Sequence, residues 1–239
     1  MPLYVVAVPI GHPDDITHRA IKTLSEVDFL ICEELKPARK MLKALGIQQE
    51  LYQINEHNEK DDTEEIIALL KENKSAALFS DCGTPLFADP GTFLIKRCHE
   101  SGIKISPIPG ASSLTAALSV AGVETKQFYY AGFLPRNSDD RRKEIQKLNR
   151  MGCTIVIYDT PYRLLALLED IQKELSSQRQ LTILFSLTQL QEKIWKGPPG
   201  ALIKKFKQNP LKQEFVLIVD PVPVKIKKPV KSIKTRKRK

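Results

Sequence analysis

Residues 76–91 read AALFSDCGTPLFADPG, a short apolar run followed by a loop rich in glycine and proline. An apolar run of four residues, such as 76–79, is typical of a strand that is buried on both faces of a parallel sheet. Similar runs, with helix-period stretches between them, occur at residues 4–7, 29–32, 105–108, 128–131, 154–158, 182–186 and 215–219. This alternation of strands and helices predicts a parallel α/β architecture.

Four of the predicted strands are followed by loops with unusual composition. In open parallel sheets, ligands bind outside the carboxyl ends of the strands. Glycine lets a backbone approach a ligand closely, and serine or threonine at a helix start leaves N–H and hydroxyl donors for a ligand. For any one loop alone, turn formation is the better explanation of these residues. Together they predict a binding cleft lined by residues 9–13, 80–91, 109–113 and 132–136.

Several classes of site are excluded by missing motifs. The chain has no G-x-G-x-x-G after the first predicted strand, no P-loop motif and no G-x-S-x-G elbow. Its four cysteines form no C-x-x-C pair, which predicts reduced thiols and no metal site. No apolar run reaches the roughly 18–20 residues of a membrane span, and residues 1–7 lack the features of a signal peptide. We therefore expect a cytoplasmic protein without a membrane segment.

Charge is concentrated at the C-terminal end. The formal net charge is +9, and residues 225–239 hold nine basic side chains and no acidic one, so the preceding residues are balanced. Prolines among lysines cannot form a packed core, which predicts that residues 221–239 are a disordered basic tail. A flexible polycation is suited to neutralising phosphates. A solubility appendage is the alternative.

Residues 119–127 are interpreted as a passage between two halves, because they follow a predicted helix at 111–118 and precede a new strand. We predict an N-terminal α/β domain over residues 1–123 and a C-terminal α/β domain over residues 124–220.

Five segments, in order along the chain, resemble one known family. Residues 4–11, 80–91, 107–112, 132–136 and 158–163 look like the tetrapyrrole-methylase superfamily. Within it they look most like the bacterial enzymes that methylate a cytidine 2′-oxygen of small-subunit ribosomal RNA. The resemblance runs from about residue 3 to residue 220. It implies a two-domain tetrapyrrole-methylase-like fold, S-adenosylmethionine (SAM) in the cleft between the domains, and a homodimer.

The resemblance also implies roles for individual residues. Contacts to the cofactor would fall on Pro9, Gly83, Thr84, Pro85, Phe87, Ser112, Ser113, Phe133, Tyr158 and Pro161. Contacts to the RNA substrate would fall on Glu33, Arg39 and Arg136. Neighbouring Arg141 and Arg142 are further candidates for phosphate contacts, with a solvated helix face as the alternative.

Methyl transfer to a hydroxyl releases a proton, and three side chains are candidates to accept it. Asp81 and His57 are the predicted catalytic residues, with Glu33 as a third candidate. The alternatives are that Asp81 caps a turn and that His57 is an ordinary surface residue.

Two features leave the substrate open. Residues 185–189 read FSLTQ, without the charged residues expected in the ribosomal RNA enzymes. Trp195 is interpreted either as a residue that stacks on a base or as an amphipathic aromatic residue in an edge strand. A tetrapyrrole or other small molecule is therefore an alternative substrate, and a non-catalytic protein that binds ribosomal RNA is an alternative of another class.

Overall fold

The computed structural model of the protein describes residues 2–177 and 179–221. Within these residues the chain forms two five-stranded sheets with helices packed against them. The predicted α/β class is confirmed. The predicted disordered tail, apart from Pro221, lies outside the described residues.

The first sheet is entirely parallel, with strand order β3-β2-β4-β1-β5. Its strands are β1 (Leu3–Val6), β2 (Phe29–Cys32), β3 (Leu51–Gln53), β4 (Ala76–Leu78) and β5 (Ile105–Ile108). The helices that follow these strands in turn are α1 (His18–Glu26), α2 (Leu35–Ala44), α3 (Glu59–Lys71), α4 (Thr92–Glu100) and α5 (Ser113–Ala121). Strand β3 was not predicted, because its three half-buried residues are too few to show a period.

The second sheet has the order β6-β7-β10-β8-β9. Its strands are β6 (Phe128–Phe133), β7 (Thr154–Asp159), β8 (Leu181–Phe185), β9 (Lys193–Gly197) and β10 (Phe215–Val219). Its helices are α6 (Ser138–Asn149), α7 (Leu164–Glu174) and α8 (Pro199–Gln208).

Strand direction in the second sheet corrects the prediction of a parallel architecture throughout. Strands β6 and β7 are parallel, whereas the β7–β10, β10–β8 and β8–β9 pairs are antiparallel. The short connection between β8 and β9 requires that pair to be antiparallel, because neighbouring parallel strands need a long crossover. As a result, Phe215 at the start of β10 lies beside Asp159 and Phe185 at the ends of β7 and β8.

Both faces of each sheet are buried, as the apolar runs predict. Along β2, Leu30 and Cys32 belong to one apolar cluster, while Phe29 and Ile31 belong to the cluster on the opposite face. This is the period of two that a strand imposes on its side chains.

Helix α5 links the two halves, because it follows the first sheet in the sequence but packs on the second. Its Leu114 and Ala117 form an apolar cluster with Val156, Leu184 and Val216 of strands β7, β8 and β10. The first turn of α5 thereby stands between the two sheets. The domain boundary at residues 123 and 124 remains a prediction. Among the described residues, every helix is too short or too polar to cross a bilayer.

Trp195 lies in β9, the edge strand, as one of its two interpretations predicts. Its side chain is buried, its ring centroid is 5.0 Å from that of Phe185, and Lys205 Nζ is 4.5 Å from the ring centroid. These contacts occupy the indole in the core, so the interpretation as a base-stacking residue is wrong.

Candidate active site

A cavity of about 290 Å³ lies where the carboxyl ends of the first sheet meet the second sheet. This volume is near the lower end of the range for small-molecule sites, about 300–1,000 Å³. It is lined by Ile10, Cys82, Gly83, Thr84, Phe87, Ala88, Asp89, Ser112, Ser113, Phe133, Tyr158, Asp159, Leu184, Ser186, Leu187, Gln189, Glu214, Phe215 and Val216.

The loop after β4 is held by backbone contacts to the loop after β1. Val8 N donates to Gly83 O at 2.9 Å, and Gly83 N donates to Val8 O at 3.2 Å. Gly83 has a φ of +78°, and a Cβ at this position would lie 3.0 Å from Ile10 Cγ2. Both the left-handed conformation and the close approach require glycine. Thr84 Oγ1 donates to Ala111 O at 2.9 Å, which joins this loop to the one after β5.

Hydroxyl groups at the start of α5 face the second sheet. Ser112 is the N-cap residue of α5, and its side chain makes no capping hydrogen bond to a described residue. Ser113 Oγ and Tyr158 Oη are 2.6 Å apart and share a hydrogen bond. Burial raises the pKa of Tyr158, so the phenol remains neutral and can donate or accept.

Aromatic rings form one wall of the cavity. Phe87 from the first half contacts Tyr130, Tyr130 contacts Tyr158, and Tyr158 contacts Phe133, with centroid distances of 6.0, 5.1 and 6.4 Å. Phe87 and Phe133 are 50% and 53% exposed. Two large apolar rings left half-exposed at a cavity offer surface for a planar, apolar part of a ligand.

Carboxylates gather next to the cavity. Burial, followed by the charges of Asp89 and Asp81, raises the pKa of Glu33 to about 7. Burial also raises the pKa of Asp81 and that of Asp89. A carboxyl group that titrates near neutral pH can accept a proton in a reaction.

Seven of the ten predicted cofactor residues line the cavity: Gly83, Thr84, Phe87, Ser112, Ser113, Phe133 and Tyr158. Pro9, Pro85 and Pro161 do not line it. Pro9 lies immediately behind it, since its carbonyl accepts a 3.3 Å hydrogen bond from Gly83 N.

The predicted catalytic and substrate residues lie outside the cavity lining. Asp81 is exposed in the loop after β4, and His57 is exposed before α3, where its backbone N–H donates to Asn55 Oδ1. Arg39 is exposed on α2 beside a separate groove, and Arg136 is exposed in the loop after β6.

Two of the further arginine candidates for phosphate contacts are engaged within the protein. Arg141 is buried, and its Nη2 is 2.6 Å from Asp170 Oδ2. Arg142 forms an ion pair with Asp139. Burial and pairing remove Arg141 from the surface, so the prediction that it faces phosphate is wrong.

The sequence prediction missed lining residues that follow β8 and precede β10. Ser186, Leu187 and Gln189 belong to the segment that departs from the expected charged pattern. Phe215 is the first residue of β10, and Glu214 directly precedes it. The position of residues 186–189 directly after a predicted strand was an available signal. No sequence signal indicated that residues at the start of β10 line the cavity, because this depends on the strand being antiparallel.

The segment after β8 also contacts the first half directly. Ser186 and Thr188 have φ of 47° and 63°, which is uncommon for residues other than glycine. Thr188 Oγ1 accepts a 2.9 Å hydrogen bond from His12 N, and a Cβ on Gly11 would lie 2.4 Å from Leu187 O. The loop after β1 therefore lies tightly against this segment.

Comparisons with known proteins all match methyltransferases. Residues 2–203 match the family model described as Tetrapyrrole (Corrin/Porphyrin) Methylases. The chain is 39% identical over 217 residues to "Ribosomal RNA small subunit methyltransferase I" of Synechocystis sp., covering 91% of this chain and 78% of that protein. It is 38% identical over 219 residues to the protein of the same name from Thermotoga maritima, covering 90% and 97%.

Solved structures show the same fold. The uroporphyrin-III-C-methyltransferase from Thermus thermophilus matches with a TM-score of 0.61 and 20% identity, covering 92% of this chain and 94% of that one. The cobalt precorrin-4 methyltransferase CbiF matches with a TM-score of 0.66 and 15% identity over the same shares. At these identities the likeness concerns the fold alone.

Proposed function

The chain belongs to the tetrapyrrole (corrin/porphyrin) methylase family, and from that premise we propose that it uses SAM to methylate a cytidine 2′-oxygen of small-subunit ribosomal RNA. The observation that carries the choice of substrate is the 39% identity, over 91% of the chain, to a relative named as a ribosomal RNA methyltransferase. The solved tetrapyrrole enzymes are only 20% and 15% identical.

The cavity residues fit SAM chemically. An adenosyl group needs apolar walls, which the rings of Phe87 and Phe133 offer, and its polar ends need hydrogen-bonding groups. Ser112 and Ser113 offer such groups. These residues, with Thr84 and Tyr158, would hold the donor. Pro9, Pro85 and Pro161 would support the loops that contact the donor. When bound, SAM supplies a methyl group activated by its sulfonium.

Catalysis by this chain consists mainly of alignment. Orienting two reactants can supply on the order of 7–11 kcal/mol, so a strong base is unnecessary. Asp81 and His57 are proposed to accept the hydroxyl proton, and Glu33, with its pKa of about 7, is suited to bind the ribose side of the substrate or to share that role. Arg39 and Arg136 are proposed to contact phosphates of the RNA. The protein is proposed to act as a homodimer in the cytoplasm.

Transfer of labelled methyl groups tests the proposed function. Purified protein with SAM should label small ribosomal subunits, or their naked RNA, from cells that lack the modification, and mass spectrometry should find the label on a ribose. Uroporphyrinogen, the substrate of the alternative activity, should remain unlabelled. If the label appears on uroporphyrinogen and not on the RNA, the substrate is a tetrapyrrole instead. A protein that binds ribosomal RNA but labels neither substrate would support the non-catalytic alternative.

The basic tail is proposed to capture RNA through its charges. A chain that ends at Pro221 lacks all nine basic residues of 225–239 but no cavity residue. We expect it to retain SAM affinity while binding ribosomal RNA more weakly. Affinity for RNA falls as salt rises, so the slope of log affinity against log salt is negative. Each lost phosphate contact makes this slope shallower by roughly 0.7–0.9. Equal affinity and equal slope for both chains would refute this role.

A further inference from the structure

Phe133, the last residue of β6, lines the cavity, although β6 lies at the edge of the second sheet. The pairing of β6 with β7 shifts register between Tyr130 and Gly132, so the strand is irregular just before Phe133. The Phe133 ring is 53% exposed and has an edge-on contact with Tyr158 at 6.4 Å. Few apolar contacts therefore fix this side chain. Phe133 is paired with Tyr158 of β7, but β6 ends at this residue, so the course of the backbone beyond it depends on other interactions.

Arg163 makes such interactions with the two residues that follow Phe133. Its Nη2 donates to Leu134 O at 2.8 Å and to Pro135 O at 2.9 Å. A guanidinium presents its donors in a fixed planar fork, so one side chain can hold two carbonyl groups in a defined orientation.

Asp159 orients this guanidinium from the end of β7. Arg163 Nε is 3.2 Å from Asp159 Oδ1, and the same oxygen accepts a 2.7 Å hydrogen bond from Thr160 N. The Asp159 side chain is fully buried, whereas that of Arg163 is 22% exposed. Asp159, fixed at the end of β7, thus binds Nε of Arg163 and orients its Nη2 toward the loop after β6.

A second arginine holds the far side of the same loop. Arg141 Nη1 donates to Pro135 O at 3.2 Å and to Arg136 O at 2.9 Å, and Asp170 binds its Nε and Nη2 at 2.9 and 2.6 Å. Arg141 shares the Pro135 carbonyl with Arg163, and its other partner, Arg136, lies farther along the chain from Phe133 than Leu134, the other partner of Arg163.

We propose that Arg163 is a positioning residue that, oriented by Asp159, fixes the backbone after β6 so that Phe133 forms a preorganised wall for the methyl donor. This inference rests on the proposed function, because the ligand it concerns is the proposed donor. Holding an exposed aromatic ring in its binding position removes part of the ordering cost of association. Arg163 itself does not line the cavity, whereas Phe133 and Asp159 do. We assign the effect of Arg163 to Phe133, because Arg163 binds the two carbonyl groups that directly follow this residue.

Calorimetric titration with S-adenosylhomocysteine, the product form of the donor, measures this effect without catalysis. We expect Arg163→Lys to weaken binding about tenfold, because an ammonium keeps the charge but loses the planar fork. Arg141→Lys should weaken it less. Arg97→Lys is the matched control. Arg97 is likewise engaged within the protein, with the carboxylates of Glu64 and Glu100, but it lies on α4, away from the cavity lining, and its replacement should leave the affinity unchanged.

A double-mutant cycle with Phe133→Ala separates positioning from general loss of structure. If Arg163 acts through Phe133, Arg163→Lys weakens binding in the wild-type background but has little further effect once the ring is absent. An equal loss in both backgrounds, or no loss in either, overturns the inference. Should Arg163→Lys fail to fold, Arg163→Gln enters the same cycle, with the same outcomes.

The cycle also distinguishes failure of this inference from failure of the proposed function. If the wild-type protein does not bind S-adenosylhomocysteine, the proposed donor is wrong and the inference falls with it. If the wild-type protein binds it and the Arg163 variants bind equally well, only the positioning role is overturned.

Discussion

The two halves of the molecule build one cavity by different means. The first half contributes loops that follow parallel strands, and Gly83, Thr84 and Ser112 of these loops line the cavity. The second half contributes side chains at strand ends, such as Phe133 and Tyr158, whose supporting loop is held by arginines. Glycine-rich loops derive their shape from their own sequence, whereas the aromatic wall depends on distant partners.

The halves also differ in where they keep their ion pairs. In the second half, Arg141 and Asp170 have side chains only 6% and 4% exposed. In the first half, the pair of Arg97 and Glu64 is 29% and 56% exposed. A buried charge that loses its partner is costly, while an exposed one is solvated by water. The second half should therefore tolerate loss of charge less well.

The largest expected effect tests this difference directly. Asp170→Ala leaves the buried Arg141 guanidinium without its carboxylate, and we expect a loss of about 3–5 kcal/mol in the free energy of unfolding. Glu64→Ala in the first half should cost no more than about 1 kcal/mol. Urea denaturation measures both, and similar losses would contradict the contrast.

The next effect concerns the contact between the halves. Gly11→Ala would put a Cβ 2.4 Å from Leu187 O, a backbone atom that cannot move aside alone. We expect a loss toward the upper end of about 1–3 kcal/mol in unfolding free energy. Gly200→Ala is the control, because its Cβ would meet only the flexible end of Gln172, at 3.0 Å. Thermal denaturation should leave that variant near wild type, and two equal shifts would argue against a tight contact at Gly11.

A third test addresses the first-half loops alone. Gly83→Leu puts a bulky side chain at a cavity-lining position with a φ of +78°. We expect SAM affinity to fall by well over tenfold, which corresponds to more than about 1.4 kcal/mol. Gly46→Leu, also at a positive φ but with open space around its Cβ, controls for backbone strain. Unchanged SAM affinity in calorimetry of Gly83→Leu would reject the proposed binding mode.

The smallest effect is a pH dependence from the carboxylates beside the cavity. The pKa of Glu33 is raised from 4.5 to about 7. Between these two pH values, Glu33 keeps its proton in the folded state but has lost it in the unfolded state. Stability contributed by the protonated group therefore falls as pH rises from about 4.5 to about 7. We expect Glu33→Gln to raise the melting temperature slightly at pH 8 and to have no such effect near pH 4. A constant difference across this range would show that the ionisation of Glu33 does not matter.

Much of the first half could be predicted from sequence because its signals are local. Four of its five strands are apolar runs flanked by turn residues, and the loops after three of them, β1, β4 and β5, line the cavity. The second half was predicted less well. Glu214 and Phe215 line the cavity only because β10 runs antiparallel to β7 and β8, and a strand's apolar pattern is the same in either direction.

By itself, the sequence determined the α/β class and the loops at the strand ends, because strand period, glycine and proline act on the chain within a few residues. Through the family resemblance it also gave the ten predicted cofactor residues, seven of which line the cavity. Only the tertiary structure decided that Arg141 is buried against Asp170 and that Arg163 reaches the loop after β6. Those contacts join residues about 30 positions apart, and whether an arginine faces solvent or a carboxylate depends on what the fold brings beside it.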